Sequence, residues 1–201
     1  MEIYLFGASG HAKVVAEIAL SSNYLIKAFV DSDPNKKLFL ERPVLPKFPD
    51  EHIAGIVTIG NNKIRKDIVN SAKKVSFVRL FHPQSIVSLT ASIGEGSTVM
   101  AGAAINADAK IGRHCIINTN SSVDHDCLVD DYVHLSPNVA LAGNVKVGEG
   151  THIGVGACVI QGITIGKWCV IGAGCVVIKD IPDGATVVGN PGRIIKTNEI
   201  Y

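Results

Sequence analysis

Counting by sixes from Val87 meets an aliphatic side chain at every step: Ile93, Val99, Ile105, Ile111, Ile117, Val123, Val129, Leu135, Leu141, Val147, Ile153, Val159, Ile165, Ile171 and Val177. Four residues after most of these comes a small one, among them Ala91, Ser97, Ala103, Ala109, Cys115, Ser121, Cys127, Ala157, Cys169 and Cys175. A period of six fits neither the ~3.6 of an α-helix nor the ~2 of a flat strand. It is the period of a β-helix whose triangular coil takes three hexads, so the array supplies about five coils. The aliphatic residue fills the axis, and the small one lets the chain turn close to it.

Residues 1–80 follow another pattern. Glu2-Ile3-Tyr4-Leu5-Phe6 reads as a short strand, and residues 12–22 continue with helical spacing of Val14, Val15, Ile18 and Ala19. Residues 24–30 (YLIKAFV) and 55–60 (GIVTIG) read as two more strands, residues 61–74 as a polar-faced helix, and residues 75–81 as a further strand. Strands alternating with helices predict a small parallel sheet of the nucleotide-binding kind. The expected division is therefore an α/β, Rossmann-like domain over 1–80 and a parallel β-helix over 81–201.

Composition narrows the classes. The formal net charge is +1, which offers no electrostatic footprint for nucleic acid or an anionic membrane. No apolar run reaches the ~20 residues that span a bilayer. The start MEIYLFGASG lacks the basic opening of a secretory signal. Five cysteines, with no C-x-x-C pair, favour neither a disulfide framework nor zinc, so a reducing cytoplasm is expected. Four of them (Cys115, Cys127, Cys169 and Cys175) fall in the small-residue slot and read as core; Cys158 lies one position later.

The hexads IGEGST, IGRHCI, VGEGTH, IGVGAC, IGKWCV and IGAGCV, and the ending VVGNPGRII, resemble the left-handed β-helix acyltransferases. With FGASGHAKVV, IGNNKIRKDI and NTNSSVDHDCLVDD, the whole chain resembles the bacterial nucleotide-sugar acetyltransferases typified by UDP-N-acetylbacillosamine N-acetyltransferase. The sialic acid O-acetyltransferase and perosamine N-acetyltransferase subgroups lie nearby. The resemblance implies a left-handed helix, a homotrimer, acetyl-CoA in the groove between adjacent β-helices, and a nucleotide-sugar held by the N-terminal domain. It implies N-acetylation of the 4-amino group of a UDP-4-amino-4,6-dideoxy sugar, with no metal. GDP-perosamine or sialic acid are the alternative acceptors, and a trimeric scaffold is the non-enzymatic one.

The residues are carried over one at a time. His125 matches the general base; a histidine suits proton transfer near neutral pH, and a carboxylate beside it raises its basicity. Asp126 matches the acidic support, with Asp124 as the alternative. Asn118 matches a polar position near the sugar amine. His134 matches a contact to the thioester carbonyl, and Gly143 a backbone oxyanion donor. Val155, Gly156 and Ala173 match the pantetheine groove, although hexad grammar alone also selects small residues there. Ser9, Gly10 and His11, opening a helix after a strand, match a diphosphate site. Asp31, with Ser32 beside it, suits a ribose or base; Gly60 and Lys63 complete the nucleotide-sugar end. Arg65 and Lys66 are expected on a solvated helix face. His114 is expected at the surface, His52 and His82 as structural or exposed, and His152 has no assigned role. A metal reading would need His114, His125 and His134 to converge across a subunit interface.

Overall fold

The computed structural model describes residues 1–199, leaving the last two residues of the 81–201 stretch outside it. The N-terminal part runs β1 (Glu2–Phe6), α1 (Gly10–Ser21), β2 (Leu25–Val30), β3 (Leu38–Phe39), β4 (Arg42–Leu45), β5 (Ile53–Val57), α2 (Asn62–Ser71) and β6 (Val75–Phe77). The sheet order is β3-β4-β2-β1-β5-β6, and all pairings are parallel except β3 with β4. β1 is buried along Ile3–Phe6, as a central strand covered on both faces must be. α1 buries Ala12, Val15, Ala16, Ile18 and Ala19, and its alanines allow close approach to the sheet. The β3–β4 hairpin was not read from the sequence. Its turn places Leu40 and Glu41 at φ 47° and 58°, without the Asn-Gly signal that usually marks such a turn.

From Leu80 the chain winds a triangular, left-handed parallel β-helix. Each two-residue strand pairs with the strand eighteen residues on, as in Thr98↔Ile116, Ser122↔Ala140 and Leu128↔Lys146. The first face carries eight strands, the second six and the third five. Val99, Ile117, Val123, Val129, Leu135 and Ile153 lie fully inside, with Cys115, Cys127, Cys169 and Cys175 in the small slots between them. Cys158 is exposed. Each corner places one residue at positive φ, every sixth position from Gly96 to Gly174. Strands Ala185–Val188 and Arg193–Thr197 close the end as an antiparallel hairpin.

The N-terminal part sits on the first face, where α1 shares a core with Leu80, Met100 and Ile116. The contact with α2 overturns two expectations. Arg65 is 1% exposed and donates to the carbonyls of His114 (2.8 Å), Tyr132 (2.8 Å), Ile59 (3.0 Å) and Gly60 (3.2 Å), and to Asn62 Oδ1 (2.8 Å). Lys66 pairs with Glu149 and lies over the rings of Tyr132 and Trp168. His114 is buried too, stacked on Tyr132 at 5.3 Å with Phe77 edge-on at 4.7 Å. The reason is shared. His114, Tyr132 and Trp168 occupy the positive-φ slot of one corner of the prism in different coils, and this aromatic column receives α2. The face of α2 that reads as solvated is thus its docking face.

Candidate active site

His125 lies in the corner between the second and third faces, in the turn from Ser122–Val123 to Leu128–Val129. Asp126 takes the corner's positive-φ slot at 60°, a conformation aspartate tolerates better than most residues. Its Oδ2 lies 2.8 Å from His125 Nδ1. A carboxylate accepts, so Nδ1 carries the proton and Nε2 is left bare. Asp124 does a different job: its Oδ1 accepts the His125 backbone N–H at 2.8 Å and Asn106 Nδ2 at 2.9 Å. The hydrogen bond donated to Asp126, and then the charge of Asp124, raise the pKa of His125 above its ordinary value. Gly143 faces the imidazole in the next coil. A Cβ there would stand 2.6 Å from His125 Nε2 and Cε1, so only glycine leaves the ring its place. Ala142, Asn144, Gln161 and Gly162 complete an open cleft beside it.

A second group forms on the first face, against the N-terminal sheet. His134 is 8% exposed; its Nε2 lies 3.1 Å from Asn118 Nδ2 and its Nδ1 3.3 Å from the Gly60 carbonyl. The His152 ring stands edge-on at 4.9 Å, with its own Nε2 3.2 Å from Ser136 Oγ. The His11 ring is 6.3 Å from His134 on the other side. Burial first, then the neighbouring charges of His152, Arg65 and His11, pushes the pKa of His134 down to about 3. Burial and Arg65 push His11 down to about 4 and lower His152. Four imidazole or guanidinium groups with no acid among them make a pocket that keeps its histidines neutral.

The nucleotide end is built around Asp31, at the end of β2. Its carboxylate accepts the N–H groups of Ala8 (2.9 Å) and Asp33 (3.0 Å) and the ammonium of Lys36 (2.8 Å). Burial works against its ionised form, but these three donors prevail and hold the carboxyl below its usual range. The loop Gly7–Gly10 is thereby pinned to the end of β2. Ser9, the N-cap of α1, makes no side-chain capping bond, α1 has no acid in its first turn, and Ser9 and Gly10 are exposed. The buried His11 Nε2 has no partner among the described residues. Ser32 is exposed at the tip of the same strand end. Lys63 lies elsewhere, in a crevice with Lys66, Asp67, Trp168, Gly184 and Asn198.

Val155, Gly156 and Ala173 line the edge between the first and second faces, tied by a 2.8 Å bond from Gly174 N–H to the Val155 carbonyl. Val155 and Ala173 are exposed, and nothing lies within 4 Å of where a Gly156 Cβ would be. Asn118 stands on this same edge. The structure therefore brings Asn118, His134, Gly60 and His11 together, and separately His125, Asp126 and Gly143. Within one chain these two groups lie at different sides of the prism. His114, sealed under Tyr132, joins neither, and among the described residues no cluster of His, Cys, Asp or Glu could hold a metal.

Sequence reasoning missed Arg65, Asn62, Ser136 and His152. Arg65 and Asn62 look like any polar helix residues. The sequence clue to His152 was its spacing of eighteen residues, one full coil, from His134.

The family model for the PglD N-terminal domain matches residues 2–72, and that for the bacterial transferase hexapeptide (six repeats) matches residues 90–125. The chain is 41% identical over 115 residues to UDP-N-acetylbacillosamine N-acetyltransferase of Bacillus subtilis (strain 168), a match covering 49% of this chain and about half (51%) of that protein. Among solved structures, the acetyltransferase domain of PglB from Neisseria gonorrhoeae FA1090 superposes with a TM-score of 0.90 at 40% identity, covering 96% of this chain and 99% of that one. It has also been solved in complex with acetyl coenzyme A. PerB from Caulobacter crescentus, in complex with CoA and GDP-perosamine, superposes with a TM-score of 0.91 at 40% identity over 98% of both chains. With a hexapeptide β-helix, a PglD-type N-terminal domain and relatives at 40% identity along nearly its whole length, this chain belongs to the hexapeptide-repeat family of bacterial sugar acetyltransferases.

Proposed function

We propose that the protein transfers an acetyl group from acetyl-CoA to the 4-amino group of a UDP-4-amino-4,6-dideoxy-N-acetyl-hexosamine. The reading is carried by the His125–Asp126 pair, with a bare Nε2 facing Gly143. The neutral amine attacks the thioester carbonyl while Nε2 of His125 takes its proton. The tetrahedral intermediate collapses to the amide, and the same proton passes to the departing CoA sulfur. Asp126 steadies the charged imidazole, and the Gly143 N–H is the donor for the oxyanion. Residues 1–80 hold the nucleotide-sugar through Ser9, Gly10, His11, Asp31, Ser32 and Gly60; Lys63, in its separate crevice on α2, takes no part. Residues 81–201 hold acetyl-CoA along Val155, Gly156 and Ala173, with Asn118 and His134 near the reacting groups.

The working unit in this reading is a homotrimer in a reducing cytoplasm. Two observations support it. His125 and the Asn118–His134 group are separated within one chain, so a neighbouring β-helix is needed to unite them. Four of the five cysteines are buried free thiols. The test is acetyl-CoA-dependent thiol release with the UDP-linked 4-amino sugar, GDP-perosamine and free sialic acid in parallel. Turnover with the UDP sugar alone is expected. Turnover with GDP-perosamine alone moves the specificity to the nucleotide seen with PerB, and silence with all three overturns the reading.

A further inference from the structure

We propose that His134 is held as the Nδ1–H imidazole, accepting at Nε2, and that its task is to aim the Asn118 amide rather than to donate to the thioester. The second half of this inference rests on the acetyl-transfer reading; the first half does not.

A chain of donors and acceptors sets the tautomer. The Thr119 backbone N–H donates to Asn118 Oδ1 at 2.8 Å, and an N–H can only donate. That contact fixes the orientation of the amide, leaving Nδ2 as the atom 3.1 Å from His134 Nε2. An amide nitrogen also only donates, so Nε2 must present its lone pair. At the other end of the ring, Nδ1 faces the Gly60 carbonyl at 3.3 Å, and a carbonyl only accepts, so Nδ1 must carry the hydrogen. Two independent contacts require the same tautomer.

Protonating Nε2 would set two donors against each other, in surroundings that already oppose a cation. Arg65, His11 and His152 face this ring from the elements packed around it, and among the described residues no carboxylate does. Arg65 also donates to the Gly60 and Ile59 carbonyls and so fixes the loop that holds Nδ1. Arg65 and His134 are thus positioning residues. The relay runs from Arg65 through Gly60 and His134 to Asn118, whose second Nδ2 hydrogen has no acceptor among the described residues and serves the acceptor sugar. His134 Nε2, already engaged, has no hydrogen to give to a thioester carbonyl.

The test is ring 15N NMR of the full-length protein labelled at histidine, with the His134 signals assigned by their loss in His134→Gln. The expected pattern is a protonated Nδ1 and a bare Nε2, unchanged between pH 8 and pH 5. A protonated Nε2 in the native protein, or a titration near the ordinary ~6.5, would overturn the proposal. Asn118→Asp gives a second readout. A carboxylate beside Nε2 can only accept, so Nε2 is expected to take up a proton; an unchanged bare Nε2 in that variant also overturns the proposal. Neither readout depends on turnover. An enzyme silent on every sugar would remove the acetyl-transfer reading while the NMR still decides the tautomer.

Discussion

At the scale of single residues, the site turns on which atom of each histidine is free. Asp126 occupies Nδ1 of His125 and exposes Nε2 to the cleft, whereas both nitrogens of His134 are taken by protein groups. Asp126→Asn replaces the carboxylate hydrogen bond that most raises the His125 pKa with a neutral one, so the imidazole deprotonates more readily and becomes a weaker base. In a rate-against-pH profile the acid limb is expected to move to lower pH, with the plateau reduced by ~10-fold or more. An acid limb that stays put would mean that Asp126 does not tune the base. His125 and Asp126 were named from the motif VDHDC that the chain shares with the family, and the structure puts their side chains in contact. The choice between Asp126 and Asp124 was not legible in the sequence, since it depends on the positive-φ slot that turns one carboxylate toward the ring and leaves the other on the backbone.

At the scale of elements, the hexads were legible because a rigid period leaves little freedom: each coil repeats the last at a register of eighteen residues. The strands and helices of the N-terminal sheet were also readable from their apolar runs. The docking of α2 was not. Arg65 reveals itself only when the His114 and Tyr132 carbonyls, 49 and 67 residues away, arrive at its guanidinium. Burial lowers its pKa to about 10, which still leaves it charged at neutral pH. Removing it strips charge-assisted hydrogen bonds from several buried carbonyls. Arg65→Met is expected to cost about 3 kcal/mol. For a chain of this length that is a Tm drop of ~6–12 °C by calorimetry. Lys63→Met, two residues earlier on the exposed side of α2, is expected to change Tm by under ~2 °C. Equal effects would refute Arg65 as the residue that fastens α2 to the β-helix.

At the scale of the whole molecule, the N-terminal sheet covers the first face of the prism, and His125 stands on the corner opposite that face. Union of the two groups therefore requires a second copy in the homotrimer proposed above. Co-expressing His125→Ala with Asn118→Ala tests this. Each variant alone is expected to be nearly inactive, while random mixing restores both residues in about a quarter of sites built across subunits. No recovery in well-formed mixed trimers would place both residues of the site in one chain.

The most direct single measurement is product formation from [13C]acetyl-CoA and a UDP-linked 4-amino sugar, followed by NMR, for the native protein and His125→Ala side by side. The predicted result is a new 13C-acetyl amide signal with the native protein and a rate ~10²–10⁴ lower with a folded His125→Ala. Equal rates for the two would contradict His125 as the base, and no amide signal from the native protein would contradict acetyl transfer to this amine.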